Sequence, residues 1–400
     1  MSQVPLRKTR SLWRRCVRAG ASRPGRAHMH RASSIRSPLC WTGRKTGQYH
    51  DETGMSRKTI RTMEELATEI EISRPTLSRY FHDPASVRSG TRLKIEERLR
   101  AVDYVPNFFA RNLNRKRTRL IGVVVPHLND IFQTSLINAV DAAAGQSDYR
   151  IIIQNSDNEP LREAGAIERL RSMNVDGILI APLGIASDSE MLRRAEAHVP
   201  LVLIDSRAMG SADGFDFVGN DNEHSVGLMV DYLIRSGHDP VFLSMPQVNI
   251  NAVERTEAYR AAMVRHGRPA HVIAADIAGH SWDFEAHGLS VMRAEFAAGR
   301  HTRACVLCAN DRVALGALKA AHEFGLFPQG KAGDFRLAGH DNDALTRFLH
   351  PGLTTVEQDV PRIAREAVDI LLGRIERPRR PDEPHDSRRI PARLVLRESA

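Results

Sequence analysis

A chain of 400 residues is long enough for two or three domains with cores of their own, and a composition 42% hydrophobic and 26% charged excludes a fibrous or wholly disordered polymer. The formal net charge of +9 is unevenly spread: residues 1–54 hold 12 Lys+Arg against 2 Asp+Glu, residues 55–119 hold 15 against 8, and residues 120–400 hold 30 against 38. The chain is a basic front on an acidic body, and no run approaches the roughly 18–20 apolar residues of a membrane span.

Residues 1–54 contain paired arginines, as in LRKTRSLWRRCVRAGASRPGRAHMHR, but no apolar segment that would make a secretory signal. They lack periodicity and read either as a mis-called start, with Met55 the true first residue, or as a basic arm for phosphates. From there MEELATEI (63–70) predicts a helix, EIS a tight turn, and 73–82 a second helix. Ser73 is placed as its N-cap and Pro75 falls in the first turn, where a missing N–H costs nothing. Leu77 and Phe81, four apart, face inward, which leaves Arg74, Pro75 and Arg79 on the outer side. A third helix is expected over about 90–102, with Leu93, Ile95 or Glu96, Leu99 and Val102 at helical spacing. Two helices on a short turn supported by a third make a helix-turn-helix, whose second helix enters a DNA major groove.

After DYVPNFFARNLNRKRTR, a short helical segment ending in a basic linker, apolar runs alternate with amphipathic helices. LIGVVVP precedes a helix near 131–146, RIIIQN one near 160–173, DGILIAP one near 187–197, and PLVLID ends in a loop. The alternation restarts after DFVGNDNEHSVG: helix 222–236, PVFLSM, helix 252–266, HVIAA, helix 282–298, ACVLCAND, helix 311–324 and DFRLAGHDN. This predicts parallel sheets flanked by helices, in two lobes, with ligands held outside the carboxyl ends of the strands, in the cleft between lobes. Of the four cysteines, Cys16 and Cys40 lie in the basic tail. Cys305 and Cys308 of CVLC are expected as buried core thiols, because positions three apart on a strand point to opposite faces. That reading implies a reducing compartment, the cytoplasm.

ELATEIEISRPTLSRYF, the YVPN of Tyr104–Asn107, ARNL at Ala110–Leu113 followed by LIGVVVP, ANDRVALGAL, and LAGHDN with LTTVEQD occur in an order and spacing that resemble the lactose-repressor (LacI/GalR) family of bacterial transcription regulators. The resemblance runs from about Thr59 to the C-terminus. It implies an N-terminal all-α helix-turn-helix DNA-binding domain (55–103), a hinge helix and linker (104–118), and an α/β two-lobed core like periplasmic sugar-binding proteins (119–400). Lobe 1 would span about 119–218 and 359–384, and lobe 2 about 219–357 and 385–400. It further implies a homodimer on a near-palindromic double-stranded operator, with a small-molecule effector, a sugar or polyol, bound between the lobes.

The family positions that contact bases correspond here to Arg74, Pro75 and Arg79. Two arginines can each bond guanine O6 and N7, Pro75 can touch a thymine methyl, and Thr76 and Ser78 suit phosphates. Leu113 matches the hinge leucine that wedges into the minor groove, with Asn112 and Ala110 beside it and Asn107 a further DNA-binding candidate; alone, such a leucine reads as core. Two departures stand out: Glu71 occupies the tight turn where glycine is usual, and His82 stands where asparagine is common.

For the effector, the resemblance pairs Asp311 with Arg255 in NAVERTEAYRAAM, a carboxylate and a guanidinium suited to vicinal hydroxyls. Asp205 and Asp341 also close strands. Phe132 and Trp282 could stack on a ring, and Gln358 sits at the crossing between lobes. Plainer readings compete: Asp221 and Asp311 as N-caps, Trp282 as surface packing, Asp341 as a loop-ordering residue. The first strand's VVVPHLNDIF lacks a dinucleotide glycine turn, and no GxSxG, HExxH or Walker segment occurs, so no catalytic residue, metal ligand or cofactor is expected. A transport-type binding protein would share the core but needs an export signal and no DNA-binding head.

Overall fold

The computed structural model describes residues 58–106, 117–210, 214–273, 282–327 and 333–400. The chain forms two compact units, Met1–Pro106 and Asn107–Ala400.

In the first unit three helices, α1 (Met63–Glu69), α2 (Arg74–His82) and α3 (Ser89–Leu99), are closed by a parallel pairing of β1 (Lys58–Thr59) with β2 (Val102–Asp103). Thr62 and Glu65 form a capping box that starts α1. The turn to α2 holds Glu71 at φ 49°, a conformation costing a non-glycine residue about 1 kcal/mol. Arg98 offsets this strain: its guanidinium donates to the Ile70 carbonyl and meets the Glu71 carboxylate at 3.0 Å. Ile60, Leu66, Ile70, Leu77, Val87, Ile95 and Val102 form the core. The third helix stops three residues short of the predicted end, because Val102 is drawn into the strand pairing and buried there. Leu93, expected inward, is 62% exposed, since Ile95 takes the core position and Leu93, two residues away, lies on the opposite side of the helix.

The second unit is α/β. Its first lobe is a six-stranded parallel sheet in the order β13-β7-β6-β5-β3-β4, from β3 (Leu120–Val125), β4 (Arg150–Asn155), β5 (Gly177–Ile180), β6 (Leu201–Ile204), β7 (Asp216–Asn220) and β13 (Ser387–Ile390). The second lobe is a four-stranded parallel sheet, β11-β10-β8-β9, from β8 (Pro240–Leu243), β9 (Val272–Ile273), β10 (Cys305–Cys308) and β11 (Arg336–Ala338). An antiparallel pair, β12 (Thr355–Glu357) with β14 (Arg393–Val395), packs beside it. Strand β3 is buried at all six positions, as a central parallel strand covered on both faces must be.

Helices α4 (Ile131–Gln146), α5 (Pro160–Ser172), α6 (Ser189–Glu196) and α11 (Val360–Glu376) belong to the first lobe. Helices α7 (Asn222–Arg235), α8 (Ile250–Arg265), α9 (Phe284–Ala297) and α10 (Asp311–Glu323) belong to the second. The backbone crosses between lobes three times, after β7, after β12 and after β13.

One strand is added here and one expectation corrected. DFVGN, given no element in the sequence reading, is strand β7, and residues 387–390, assigned to lobe 2, pair in parallel with β7 in the first lobe. Both strands carry charged or small residues, so neither shows the apolar run that marks β3. Cys305 and Cys308 are buried and free, as expected, and burial pushes the Cys305 thiol up to about 12. Gly288 and Gly316 let α9 and α10 touch backbone to backbone, since a Cβ at Gly316 would lie 2.0 Å from the Glu285 carbonyl. That contact sets Arg312 against Glu285 at the mouth of the interlobe cleft.

Candidate functional site

Two surfaces carry the residues singled out in the sequence. On the first unit, α2 presents Arg74, Pro75, Ser78 and Arg79 to solvent, with Thr76 half-buried and Leu77 fully buried behind them. Ser73 stands at the N-cap, but its hydroxyl bonds the Thr76 hydroxyl at 2.8 Å and makes no capping bond to a backbone N–H. Arg74 reaches Glu64 on α1 at 3.0 Å, whereas Arg79 has no ion pair among the described residues. Asn107, Ala110 and Leu113 lie outside the described residues.

The second surface is the cleft between the lobes of the α/β unit. From the first lobe come Asp205 at the end of β6 and, around the start of α4, Asp130, Phe132 and Gln133. Arg255, Asn251, Trp282, Phe284 and Arg312 come from the second lobe, with Asp341 and Gln358 at the crossing. They enclose a cavity of about 40 Å³, room for little more than a water or two, so a larger guest requires the lobes to part. Hollows of about 710 and 530 Å³ elsewhere are open surface grooves lined mainly by charged residues.

Two of the cleft carboxylates stand where strands end and the backbone turns left-handed, Asp205 at φ 69° and Asp341 at φ 123°. Strain of this kind persists where surrounding contacts fix it, and here they do. Asp205 Oδ2 accepts from Gln133 Nε2 at 3.1 Å, and Oδ1 accepts across the cleft from Asn251 Nδ2 at 3.3 Å. Burial pushes the Asp205 carboxyl up to about 7, opposed by Arg255 and reinforced by the Asp341 charge.

Asp341 Oδ1 receives Arg255 Nη2 at 3.1 Å, His340 Nδ1 at 2.9 Å and Gln358 Nε2 at 2.7 Å. Burial raises its pKa, but these partners outweigh burial and hold the carboxyl below its usual range. Arg255 is almost fully buried; its Nε donates to Asn222 Oδ1 at 3.1 Å and Nη1 to the Ala309 carbonyl at 2.8 Å.

Arg312 joins the lobes. Its Nη1 meets Asp130 Oδ2 at 2.8 Å, while Nε and Nη2 bond the Glu285 carboxylate and its guanidinium lies over Phe284. A second clasp forms around Glu254 of α8, which accepts from Arg207 and from Arg389 of β13.

The cleft thus gathers Phe132, Asp205, Arg255, Trp282 and Gln358 as the sequence led one to expect. Asp311 is the exception. It does not line the cavity: its Oδ2 accepts from the Asp343 backbone N–H at 2.8 Å and its Oδ1 from Thr355 Oγ1 at 2.7 Å. As the first residue of α10, behind the N-cap Asn310, it points into the loop after β11 and orders it. Asp341 thus stands on the cavity, and Asp311 braces the loop that carries it. Asp221 is the N-cap of α7, accepting from the His224 N–H at 3.0 Å. Arg312, Asp130, Gln133 and Asn251 escaped the sequence reading, although Asp130 just before a helical segment has the look of a cap.

Residues 230–400 match the periplasmic binding protein-like domain family. The chain is similar to the regulator PtxS of Pseudomonas aeruginosa, with 29% identity over 84% of this chain and 95% of that protein. It is similar also to the ribose operon repressor of Escherichia coli, 28% identical over 79% of this chain and 94% of that one. Its fold matches the lac repressor dimer crystallised with operator and the anti-inducer ONPF, with TM-score 0.71 at 24% identity over 85% of this chain and 98% of that one.

Proposed function

We propose that the chain is a member of the LacI/GalR (lactose-repressor) family of transcription regulators, a sequence-specific DNA-binding repressor whose operator affinity is changed by a small molecule held between the core lobes. In this reading α1 and α2 are the helix-turn-helix. Arg74, Pro75 and Arg79 read bases, Thr76 and Ser78 position the helix on phosphates, and Asn107, Ala110 and Leu113 belong to a minor-groove hinge. Two copies sit on the halves of a near-palindromic operator in the cytoplasm. The effector is a sugar or polyol, and no chemistry is performed on it. The cleft's charged groups are tied to one another as hydrogen-bond clamps, without a nucleophile poised against a base among the described residues.

One observation carries the proposal. Contacts from each lobe, Asp130 to Arg312 and Asp205 to Asn251, meet around a single cavity, so a guest that changes those contacts changes the angle between the lobes. Such a shift alters DNA affinity only if the guest prefers one arrangement, by several kcal/mol for a near-complete switch.

The test is fluorescence anisotropy of residues 55–400 on DNA from upstream of the gene itself, against a scrambled duplex at the same salt. A preference of at least ~10³-fold is expected. Equal, weak binding of residues 55–400 and of the full chain to both duplexes would sink the proposal. Small molecules titrated into the same complex then show whether the effector releases or tightens it.

A further inference from the structure

The charges around the cavity do not balance. Three carboxylates line it, Asp130, Asp205 and Asp341, against two guanidiniums. Asp130 is paired with Arg312 and Asp341 with Arg255. Asp205 is left with amides alone, Gln133 from α4 and Asn251 from α8. Arg255 lies near enough to oppose its burial without joining it in an ion pair, and Asp341 and Asp130 add negative charge.

The buried acceptors add to this imbalance. Each guanidinium nitrogen of Arg255 and of Arg312 already meets a protein oxygen, although their terminal NH₂ groups keep N–H donors to spare. Gln133 and Gln358 each commit their NH₂ to a carboxylate, which fixes which way round each amide sits. Their Oε1 atoms are buried and accept nothing among the described residues. The site therefore offers acceptors and a surplus carboxylate, beside the aromatic side chains of Phe132 and Trp282. With the lobes as they stand, an anionic guest would have to displace Asp341 or Asp130 from its arginine. An ammonium group supplies three donors and the missing positive charge, and gains from the aromatic faces.

Resting on the regulator reading above, we infer that the effector is a small hydroxylated amine, bound with its protonated amino group against Asp205 and the Gln133 and Gln358 carbonyls. Sugar acids and sugar phosphates are disfavoured by the same arrangement.

The experiment is isothermal titration calorimetry of the full chain with matched probes: glucosamine and glucose, galactosamine and galactose, 1-amino-1-deoxysorbitol and sorbitol, with gluconate and glucose 6-phosphate as anions. At least one amine should bind at least ~10-fold more tightly than its neutral parent, as expected for a hydrogen-bonded charge pair out of water. Asp205→Asn should bring that ratio close to one. A neutral parent or an anion binding as tightly as the amines, or no amine binding at all, overturns the inference. A preference that survives Asp205→Asn removes Asp205 from it, and the wild-type ratios decide the matter should that variant fail to fold. Operator anisotropy run in parallel separates the two readings. Specific DNA binding answered by a neutral or anionic compound keeps the regulator and discards the amine, whereas amine binding without DNA specificity does the reverse.

Discussion

Asp130 serves both lobes at once: Oδ1 accepts from the N–H of Phe132 at the start of α4, and Oδ2 meets Arg312 Nη1 on α10 at 2.8 Å. A helix cap in one lobe is therefore the anchor point for the other. Arg312→Ala should cost about 2–4 kcal/mol in urea unfolding, because it strands a largely buried carboxylate. The same variant should increase the radius of gyration measured by X-ray scattering. Unchanged values in both would mean that this pair does not hold the lobes together.

Arg79 faces solvent without an ion pair among the described residues, and is free to reach a base edge. Arg79→Ala is expected to weaken operator binding by ~1–3 kcal/mol and to relax preference at one or two bases. Competition against single-base operator variants measures this. A uniform loss on every sequence would reassign Arg79 to the phosphates.

Burial changes what can be asked of Arg255. Arg255→Ala leaves Asp341 buried without its cation, at a cost of ~3–5 kcal/mol, so loss of ligand response in that variant would be ambiguous. Arg255→Lys keeps the charge and loses the fork. It should fold within about 2 kcal/mol of wild type and still fail to answer effector in calorimetry. Full response from a well-folded lysine variant would take Arg255 out of the site.

Asp205 makes stability depend on pH. Its folded pKa, about 7, lies above its unfolded value of about 3.9, so the folded state holds the extra proton and stability falls as pH rises between those values. The loss is at most about 4 kcal/mol and is complete above pH 7. Urea unfolding of wild type and Asp205→Asn at pH 5 and pH 8 isolates this group. The wild type should lose ground against the variant at the higher pH, and parallel curves would refute the assignment.

Long-period patterns made most of the fold readable. Strand β3 announces itself because a doubly covered parallel strand must be apolar throughout, and the core helices because they repeat at 3.6 residues. Strand β13, SRRI, was unreadable for the opposite reason. It lies at a sheet edge, where charged side chains are favoured, and its partner β7 lies well over a hundred residues earlier in the chain. In the site, Asp205, Phe132 and Gln358 were legible from strand ends and crossings. The orientation of Asp311 was not legible, because position along the chain fixes a strand's end but not which of two neighbouring side chains, Asp311 or Arg312, turns toward the cavity. That choice is set by Thr355 and the Asp343 N–H, which no local pattern reveals. Glu71 shows the converse: its left-handed turn was anticipated, while the arginine that steadies it sits 27 residues further on.

The triple crossing between lobes bears on how the protein is made. The first lobe lacks the last of its covering helices until residue 376 exists and its edge strand until residue 390, so it stays open while most of the second lobe is synthesised. A domain that is one continuous segment can fold as it emerges from the ribosome. Here both lobes wait for the end of the chain, the first for β13 and the second for β14 just after it.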